Sequence, residues 1–404
     1  MSTALIVGGG VAGPVAGMAL RRAGIDAIIF EAYPSGADEA GAFLTLQTNG
    51  IAALRTIDAH QCVADQGFPT PRMRFFSGSG KPLGVISNGG RLSDGTVSHT
   101  LRRSDLYRAL RDEALRRGVR IEYAKRLVEA RQTADRVTAA FADGTTADGD
   151  LLIGCDGIRS RVRQLIDPGA PSARYVPLLN IGGYAHGVST PAKHGEYSMI
   201  FGRRAFFGYA QAPDGETWWF ANPPCAEDPG AAIADITDAQ WRERLHHLYS
   251  VDNSPAVELI RATPGPLRGW TTYDIPTVPR WHSGRMMIIG DAAHATSPSS
   301  GQGASMAIED AVVLAMCLRG LPVTQAFMTY ERLRRRRVER VVAAGARASD
   351  TKVAGPIRRV FRDQFMPVFL KKAAADGEES LAWMHQFQID WNAPVTAAAS
   401  GGGR

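Results

Sequence analysis

Three glycines near the start of the chain are spaced as GxGxxG between an apolar run and a helix-like segment. Gly8, Gly10 and Gly13 stand in "VGGGVAG", after the run Ala4–Val7 and at the start of the small-residue segment Val11–Ala23. In a βαβ unit with this spacing, the first glycine makes the tight turn and the second lets the backbone approach a pyrophosphate. The third lets the helix pack on the strand. The sequence therefore predicts a dinucleotide-binding unit in a parallel α/β sheet.

A second apolar run follows and ends in an acid. The segment "DAIIFE", Asp26–Glu31, is predicted to be a buried strand, with Glu31 eighteen residues after Gly13. An acid in this place can accept hydrogen bonds from an adenosine ribose. A glycine-rich turn without a ligand is the alternative, but the strand, the helix and the terminal acid together favour the dinucleotide.

A third apolar run, "RMMIIGD", places Asp291 at the carboxyl end of a predicted strand, where doubly wound sheets bind ligands. A loop of small residues comes next, and a helix is predicted to begin near Gly301. The first turn of such a helix exposes backbone N–H groups that suit an anion or an electron-rich ring edge. Because Asp291 is itself negative, the hydroxyls of a sugar-alcohol chain are better partners for it than a phosphate.

Composition narrows the class of protein. The 404 residues are 45% hydrophobic and 21% charged, which is typical of a globular chain with two domains or one large domain with an insertion. The net charge of +6 comes mostly from arginines along predicted helices, without an aromatic-interleaved basic platform, so solvated helix faces are favoured over nucleic-acid binding.

The four cysteines also restrict the possibilities. They are far apart and form no CxxC pair, so neither a zinc site nor a dithiol centre is predicted, and a reduced, cytoplasmic setting is expected. No segment approaches the ~20 apolar residues of a membrane helix, so membrane insertion is not expected.

The middle of the chain has a different pattern. Segments such as "GGYAHGV", "AFFGYAQA" and "TWWFANP" predict antiparallel strands, inserted before the chain returns to the first domain with "RMMIIGD". The predicted division is a discontinuous domain of residues 1–74, 100–172 and 280–340, a sheet domain of 75–99 and 173–279, C-terminal helices at 341–391, and a disordered tail at 392–404.

Three motifs together carry a family resemblance. In this order and spacing, "VGGGVAG" with Glu31, "GCDGIRSRVR" (Gly154–Arg163) and "IIGDAAHATSPSSGQGASMAIEDA" (Ile288–Ala311) resemble the class A flavin monooxygenases, the para-hydroxybenzoate hydroxylase-like family. The resemblance implies an α/β fold, with a Rossmann-like FAD-binding domain, an inserted antiparallel-sheet substrate domain and C-terminal helices. It also implies noncovalent FAD, NADPH or NADH as electron donor, and O2. A small aromatic molecule would be hydroxylated through a flavin carbon-4a hydroperoxide.

The same resemblance assigns cofactor contacts. Asp291 would meet the ribityl hydroxyls, the Gly303–Ala304 backbone the pyrimidine edge of the flavin, and Arg103 the cofactor phosphates, with Arg102 as the alternative by register. The loop from Pro298 to Gly303 would form the floor of the active site. The full set of expected cofactor-binding residues is Gly8, Gly10, Val11, Ala12, Gly13, Glu31, Ala32, Arg103, Leu127, Asp156, Asp291, Pro298, Gly301, Gly303 and Ala304.

Further residues are candidates for proton transfer, NADPH binding and the substrate wall, and each also has a purely structural interpretation. Beside Pro298 and Gly303, His294 is a candidate general base, although a histidine next to a buried loop more often holds that loop. Arg159 and Arg163 are candidates for the NADPH phosphate, with solvated arginines as the alternative. The aromatic residues expected in the substrate wall, with plain core packing as the alternative, are Tyr184, Phe207, Tyr209, Trp219 and Phe220.

Other chemistries have less support. There is no GxSxG, HExxH or Walker A motif. The stretch Gly41–Ile57 resembles monooxygenases of polyketide, tetracycline-like and other aromatic natural products, which favours a bulky phenolic or heteroaromatic substrate over a small benzoate. A flavin oxidase or reductase, a halogenase and a noncatalytic dinucleotide sensor are the alternatives. The halogenase is disfavoured because no WxWxIP motif is present.

Overall fold

The computed structural model describes residues 2–35, 43–352, 363–368, 370–371 and 379–396. The strands are β1 (Thr3–Val7), β2 (Asp26–Phe30), β3 (Phe43–Leu46), β4 (Gly67–Pro69), β5 (Arg72–Ser77), β6 (Pro82–Ser87), β7 (His99–Arg102), β8 (Arg120–Glu122), β9 (Leu127–Gln132), β10 (Val137–Phe141), β11 (Thr146–Gly149), β12 (Leu151–Gly154), β13 (Arg174–Ala185), β14 (Glu196–Phe201), β15 (Phe206–Gln211), β16 (Thr217–Asn222), β17 (Gly269–Asp274), β18 (His282–Ser283) and β19 (Met286–Ile288).

The helices are α1 (Ala12–Arg22), α2 (Thr48–Thr56), α3 (Gln61–Ala64), α4 (Arg103–Arg116), α5 (Arg161–Ile166), α6 (Asp238–Tyr249), α7 (Ala256–Arg261), α8 (Asp291–His294), α9 (Gly303–Gly320), α10 (Val323–Lys352) and α11 (Glu379–His385). None of the helices in the described ranges is both long enough and apolar enough to cross a membrane.

Buried apolar runs form a six-stranded sheet in the order β18-β19-β12-β1-β2-β8. Neighbouring strands pair in parallel, except β18, which is antiparallel to β19. Leu5, Ile29, Leu152 and Met287 are fully buried, as expected for parallel strands covered on both faces. The carboxyl ends of β1, β2, β12 and β19 therefore meet at one edge of the sheet.

The second large sheet has seven strands in the order β17-β13-β16-β15-β14-β5-β6. Its pairs are antiparallel except β14 with β5, which is parallel. Helices α6 and α7 cover one face, where Trp241, Tyr249 and Leu259 are buried. The predicted α/β fold with an inserted, mainly antiparallel sheet is confirmed.

Four predicted boundaries need correction. The limit between 99 and 100 falls inside β7. Strand β5 already begins at Arg72, so the limit set at residue 75 falls inside a strand of the second sheet. The limit between 340 and 341 falls inside α10, which runs unbroken because its sequence contains no proline.

The fourth boundary concerns the tail. Val395, in the predicted disordered stretch, packs against the main core, while residues 397–404 lie outside the described part of the chain. Residues 353–362 and 372–378 of the predicted C-terminal helices also lie outside it.

Candidate active site

The glycine-rich turn after β1 sits against the end of β12. Gly8 has a φ of +106°, a backbone conformation that side chains other than glycine rarely adopt. A Cβ on Gly8 would overlap the carbonyl of Cys155, and a Cβ on Gly13 would overlap the carbonyl oxygen of Gly8. A Cβ on Gly10, in contrast, would meet no protein atom within 4 Å. The turn is thus tightly packed on both sides and open at Gly10, at the N-terminus of α1.

Glu31 leaves the end of β2 and points back at this turn. Its Oε2 accepts a hydrogen bond of 2.7 Å from Gly9 N–H, and its Oε1 accepts one of 2.9 Å from Tyr33 N–H. Each carboxylate oxygen has two acceptor positions, so the remaining ones are available to ribose hydroxyls. Around this turn, Val11 and Ala32 are partly buried, and Ala12 and Leu127 are buried.

Asp291 follows β19 at the same edge. The residue is exposed on its open side, but enough protein surrounds it that desolvation raises the pKa of its carboxyl, against the lowering effect of His294 and Arg103. The preceding Gly290 brings this loop close to α1, because a Cβ there would lie 3.6 Å from Ala12 Cβ. Asp291 therefore presents an acceptor next to the glycine-rich turn.

The structure separates the two arginines that the sequence leaves as alternatives. Arg102 turns to the second sheet, where Nη2 lies 2.6 Å from Glu216 Oε2 and its guanidinium covers the Tyr184 ring at 4.2 Å. Arg103 is exposed, donates from Nε to Tyr107 Oη at 2.7 Å, and acts electrostatically on Asp291. Of the two, only Arg103 remains a candidate for the cofactor phosphates, and that contact remains a prediction.

His294 is buried one turn after Asp291 and bonded to an acid. Its Nε2 lies 2.5 Å from Asp310 Oδ2, and the same oxygen accepts a hydrogen bond of 2.9 Å from Gly290 N–H. Arg334 Nε donates to the other oxygen of Asp310 at 2.7 Å. His294 thus belongs to a buried charged cluster that holds the Asp291 loop, and its role as a general base remains a prediction.

In the "GCDGIRSRVR" segment, the side chains of Asp156 and Arg163 bond to nearby backbone groups. Asp156 accepts hydrogen bonds from Arg161 N–H and Val162 N–H at the start of α5, at 2.7 and 3.0 Å. Arg163 is buried and donates to the carbonyls of Ala292 and Ile158 at 3.0 and 2.7 Å.

This arrangement corrects the expectation that Arg163 meets NADPH, because both ends of its guanidinium are engaged inside the core. The side chain instead ties the motif to the loop that carries Asp291. Arg159 is exposed, and its contact with NADPH remains a prediction.

The loop after α8 is rigidly held. Pro298–Ser300 form a short 3-10 helix that ends at Gly301. The buried Gln302 then accepts a hydrogen bond of 2.9 Å from Asn49 Nδ2. Helix α9 begins at Gly303, so the first N–H groups of this 18-residue helix lack partners within it. A Cβ on Gly303 would lie 4.0 Å from Asp291 Oδ1, which places the helix end beside the acid.

The aromatic residues of the second sheet divide between its two faces. Phe207, Tyr209 and Trp219 lie on the face covered by α6 and α7, and each is at most 1% exposed. Their expected place in the substrate wall is therefore wrong, because side chains alternate along a strand and these three point into a separate core. Tyr184 and Phe220 lie on the opposite face.

Three aromatic residues of that opposite face escaped the sequence prediction. Phe43, Phe206 and Trp218 lie there with Tyr184 and Phe220; the ring centres of Tyr184 and Trp218 are 5.2 Å apart, and those of Phe43 and Trp218 are 5.5 Å apart. The alternation in "TWWFAN" signals two faces, but only the positions of α6 and α7 show which face is covered. We call this set of five rings the aromatic face.

Strand β3 links the aromatic face to the start of α9. Thr45 Oγ1 lies 3.1 Å from Tyr197 Oη on the second sheet, and Gln47 N–H donates to Ser305 Oγ at 3.1 Å. One short segment thus contacts both the second sheet and the start of α9, and a substrate site between the aromatic face and the Pro298 loop remains a prediction.

These features fit FAD. Gly10 leaves open backbone where a pyrophosphate would approach, Glu31 retains acceptors for a ribose, and Asp291 offers an exposed carboxylate beside the free N–H groups of α9. The set of donors and acceptors matches a dinucleotide with a polyol chain and an electron-rich ring edge.

Comparison with known proteins agrees with this arrangement. The sequence pattern of the family described as "FAD binding domain" matches residues 1–345. The chain belongs to this family. Family members are class A flavin monooxygenases, so the protein is an FAD-dependent monooxygenase that acts on aromatic compounds.

Individual relatives cover nearly the whole chain. Aurachin C monooxygenase/isomerase of Stigmatella aurantiaca is 33% identical over 353 residues, which is 85% of this chain and 88% of that protein. The 3-hydroxybenzoate 6-hydroxylase of Klebsiella oxytoca is 26% identical, covering 96% of this chain and 97% of its own. The structure of Klebsiella pneumoniae HpxO complexed with FAD and uric acid is 26% identical, with a TM-score of 0.82, and covers 93% of this chain and 96% of its own.

Proposed function

We propose that this monooxygenase uses NADPH or NADH and O2 to hydroxylate a phenolic or heteroaromatic molecule that lies between the Pro298 loop and the aromatic face. The observation that carries the proposal is the placement of five aromatic rings opposite a loop and helix end that suit a flavin. When bound and reduced, FAD supplies the activation of dioxygen.

The chain's own residues then bind, orient and shield. Tyr184 and Phe220, which are partly buried, offer ring faces and edges against which a planar substrate can stack, and the buried Trp218 packs against the Tyr184 ring. The Pro298 loop supports the other side of the substrate, and the apolar wall keeps water from the reacting ring. Arg159, which is exposed, is the remaining candidate for a contact with the nicotinamide dinucleotide.

The substrate is proposed to be larger than a simple benzoate. One relative is named for a natural product, aurachin C, while others are named for 3-hydroxybenzoate or were solved with uric acid. The rings of the aromatic face come from β3, β13, β15 and β16. This spread over strands of two sheets favours a bulky phenolic or heteroaromatic substrate, with a small benzoate as second choice.

The oxygen atom in the product should come from dioxygen. The purified, FAD-loaded protein is incubated with NADPH or NADH, a phenolic and heteroaromatic panel and isotopically labelled O2, and the mass of each product is measured. Hydroxylated product that carries the label supports the proposal. Oxidised product without label, or product formed anaerobically, indicates an oxidase or dehydrogenase, and halide incorporation in a matched reaction indicates a halogenase.

Replacing Asp291 by Ala should weaken FAD binding. The ribityl hydroxyls would lose a charged acceptor worth ~1.5–3 kcal/mol, which is about 10- to 150-fold in affinity. Fluorescence titration of the apoprotein with FAD measures the change. Asp135→Ala is a suitable control, because Asp135 is exposed in a hairpin loop and bonded to Thr133 Oγ1. Unchanged affinity in Asp291→Ala would show that the acid does not contact the cofactor.

A further inference from the structure

A lysine lies on the aromatic face, where its hydrogen-bond partner is a neutral amide. Lys352 is the last residue of α10, and its Nζ lies 4.5 Å from the centre of the Phe206 ring and 5.7 Å from that of Phe220. It donates a hydrogen bond of 2.8 Å to Asn222 Oδ1. Among the residues that the structure describes, no carboxylate acts on this amine. Lys352 is thus a cationic group set in an aromatic environment with one neutral acceptor.

The orientation of the Asn222 side chain determines how many N–H groups of Lys352 it engages. The side-chain amide of Asn222 is buried and donates to Asn180 Oδ1 at 2.7 Å, which turns its Oδ1 toward Lys352. A protonated lysine has three N–H donors. One is engaged with Asn222, and the other two make no hydrogen bond within the described part of the chain.

The end of α10 also contacts the Pro298 loop. Ser349 Oγ lies 2.7 Å from Ser297 Oγ, and a Cβ on Gly345 would lie 2.9 Å from Ser300 Cβ. Ser349 contacts the loop, and Lys352, three residues later, contacts the second sheet at Asn222. The two contacts are therefore about 5 Å apart along the helix. Lys352 therefore lies where the two sides of the proposed substrate site come together.

The surroundings of Lys352 suit a ligand that brings an acidic oxygen. Burial among apolar rings lowers the pKa of Lys352 to about 7, because a lone charge is poorly solvated there. An oxyanion beside the amine would offset this cost, since opposite charges attract more strongly where water is scarce. A neutral ligand would not offset the unfavourable desolvation of the protonated amine.

We propose that Lys352 selects aromatic substrates that carry an acidic oxygen, phenolic, enolic or carboxylic, on the edge facing the end of α10. This inference rests on the proposed hydroxylase function and adds a substrate class to it. A carboxylate or enolate pairs with the protonated amine, whereas a phenol, whose ordinary pKa is about 10, donates a hydrogen bond to the lone pair of the neutral amine, and neither step changes the total charge. Lys352 is a specificity-determining residue in this scheme.

The test compares four ligands that share one ring. They are 3-hydroxybenzoate, its methyl ester, 3-methoxybenzoate and methyl 3-methoxybenzoate. The methyl ester blocks the carboxylate, the methoxy group blocks the phenol, and the fourth ligand has both groups blocked. Binding to the FAD-loaded protein is followed through the flavin absorption spectrum, without NADPH or NADH, so no turnover is required. The proteins are the wild type, Lys352→Met, Lys352→Arg and the control Lys81→Met, in which an exposed lysine of the same sheet is replaced.

The wild type should bind at least one acidic probe about 10- to 100-fold more tightly than the doubly blocked ligand. Lys352→Met should remove this preference and keep the affinity for the doubly blocked ligand, while Lys352→Arg and Lys81→Met should retain the preference. The singly blocked probes show whether the phenol or the carboxylate is recognised.

Three results would overturn the assignment. They are a preference that survives in Lys352→Met, an equal loss for all four ligands in that variant, and a wild type that binds no acidic probe at millimolar concentration. A failure of the hydroxylase proposal looks different, because it appears as absent flavin absorbance or as unlabelled product in the oxygen experiment. Ligand preference without oxygen insertion would leave the role of Lys352 intact.

Discussion

Gly10→Ala should lose FAD while the apoprotein keeps its fold. The added methyl group would meet no protein atom within 4 Å, so packing is unaffected, but it would occupy the space where the pyrophosphate approaches the backbone. Overlap of this kind costs ~3 kcal/mol, or about 100-fold in affinity. FAD affinity is measured by titration of the apoprotein, and its thermal stability is measured without cofactor.

Two other glycines serve as comparisons. Gly320→Ala also adds a methyl group that meets nothing within 4 Å, but at the far end of α9, so both affinity and stability should stay near those of the wild type. Gly13→Ala should destabilise even the apoprotein, because its Cβ would overlap the carbonyl oxygen of Gly8. Normal FAD binding by Gly10→Ala would mean that the cofactor phosphates lie elsewhere.

Arg334→Met should lower the free energy of unfolding by ~3–5 kcal/mol at neutral pH. Arg334, Glu309 and Asp310 are all fully buried, with Arg334 nitrogens 2.6 Å from Glu309 Oε2 and 2.7 Å from Asp310 Oδ1. Although burial alone would raise the pKa of the Asp310 carboxyl, His294 and Arg334 hold it well below its ordinary value. Removing the guanidinium leaves both acids short of positive charge in a place that water does not reach.

Urea denaturation of the apoprotein measures this change. Arg336→Met is the matched control, because Arg336 is exposed on the same helix and its loss should change stability by less than ~0.5 kcal/mol. Adding Asp310→Asn to Arg334→Met should cost less than the sum of the two single changes, since it removes a charge that the first change left unpaired. A cost for Arg334→Met as small as that of the control would show that the cluster does not stabilise the fold.

The cofactor side of the site is predictable from sequence because its residues obey local rules. Gly8 is needed because its φ is positive, and Gly13 because the backbone of Gly8 lies close to it. Glu31 and Asp291 can be recognised because each follows an apolar strand. Each of these signals lies within a short window. They also fix the edge of the sheet at which the ligand binds.

The substrate side depends on contacts between distant segments, which no local pattern reveals. Trp218 and Trp219 are adjacent in sequence but face opposite sides of the sheet, and only the tertiary packing shows that α6 and α7 cover Trp219 while Phe43 and Phe68 pack on Trp218. Likewise, the different directions of the Arg102 and Arg103 side chains depend on Glu216, which pairs with Arg102 and lies more than a hundred residues away in the sequence. Lys352 carries no sequence signal, because its role arises from where α10 ends.

The order of strands in the parallel sheet bears on how the protein matures during synthesis. The first two strands of the sheet are made early, but β12 and β19, which complete the edge, begin at Leu151 and Met286. Asp291 and the start of α9 come later still, and the Asp310–Arg334 pair that braces them needs residues up to 334. At typical rates of ~5–20 residues per second, the ribosome would hold a chain without a complete flavin site until residue 334 has been added. Cofactor uptake is therefore expected only after that point.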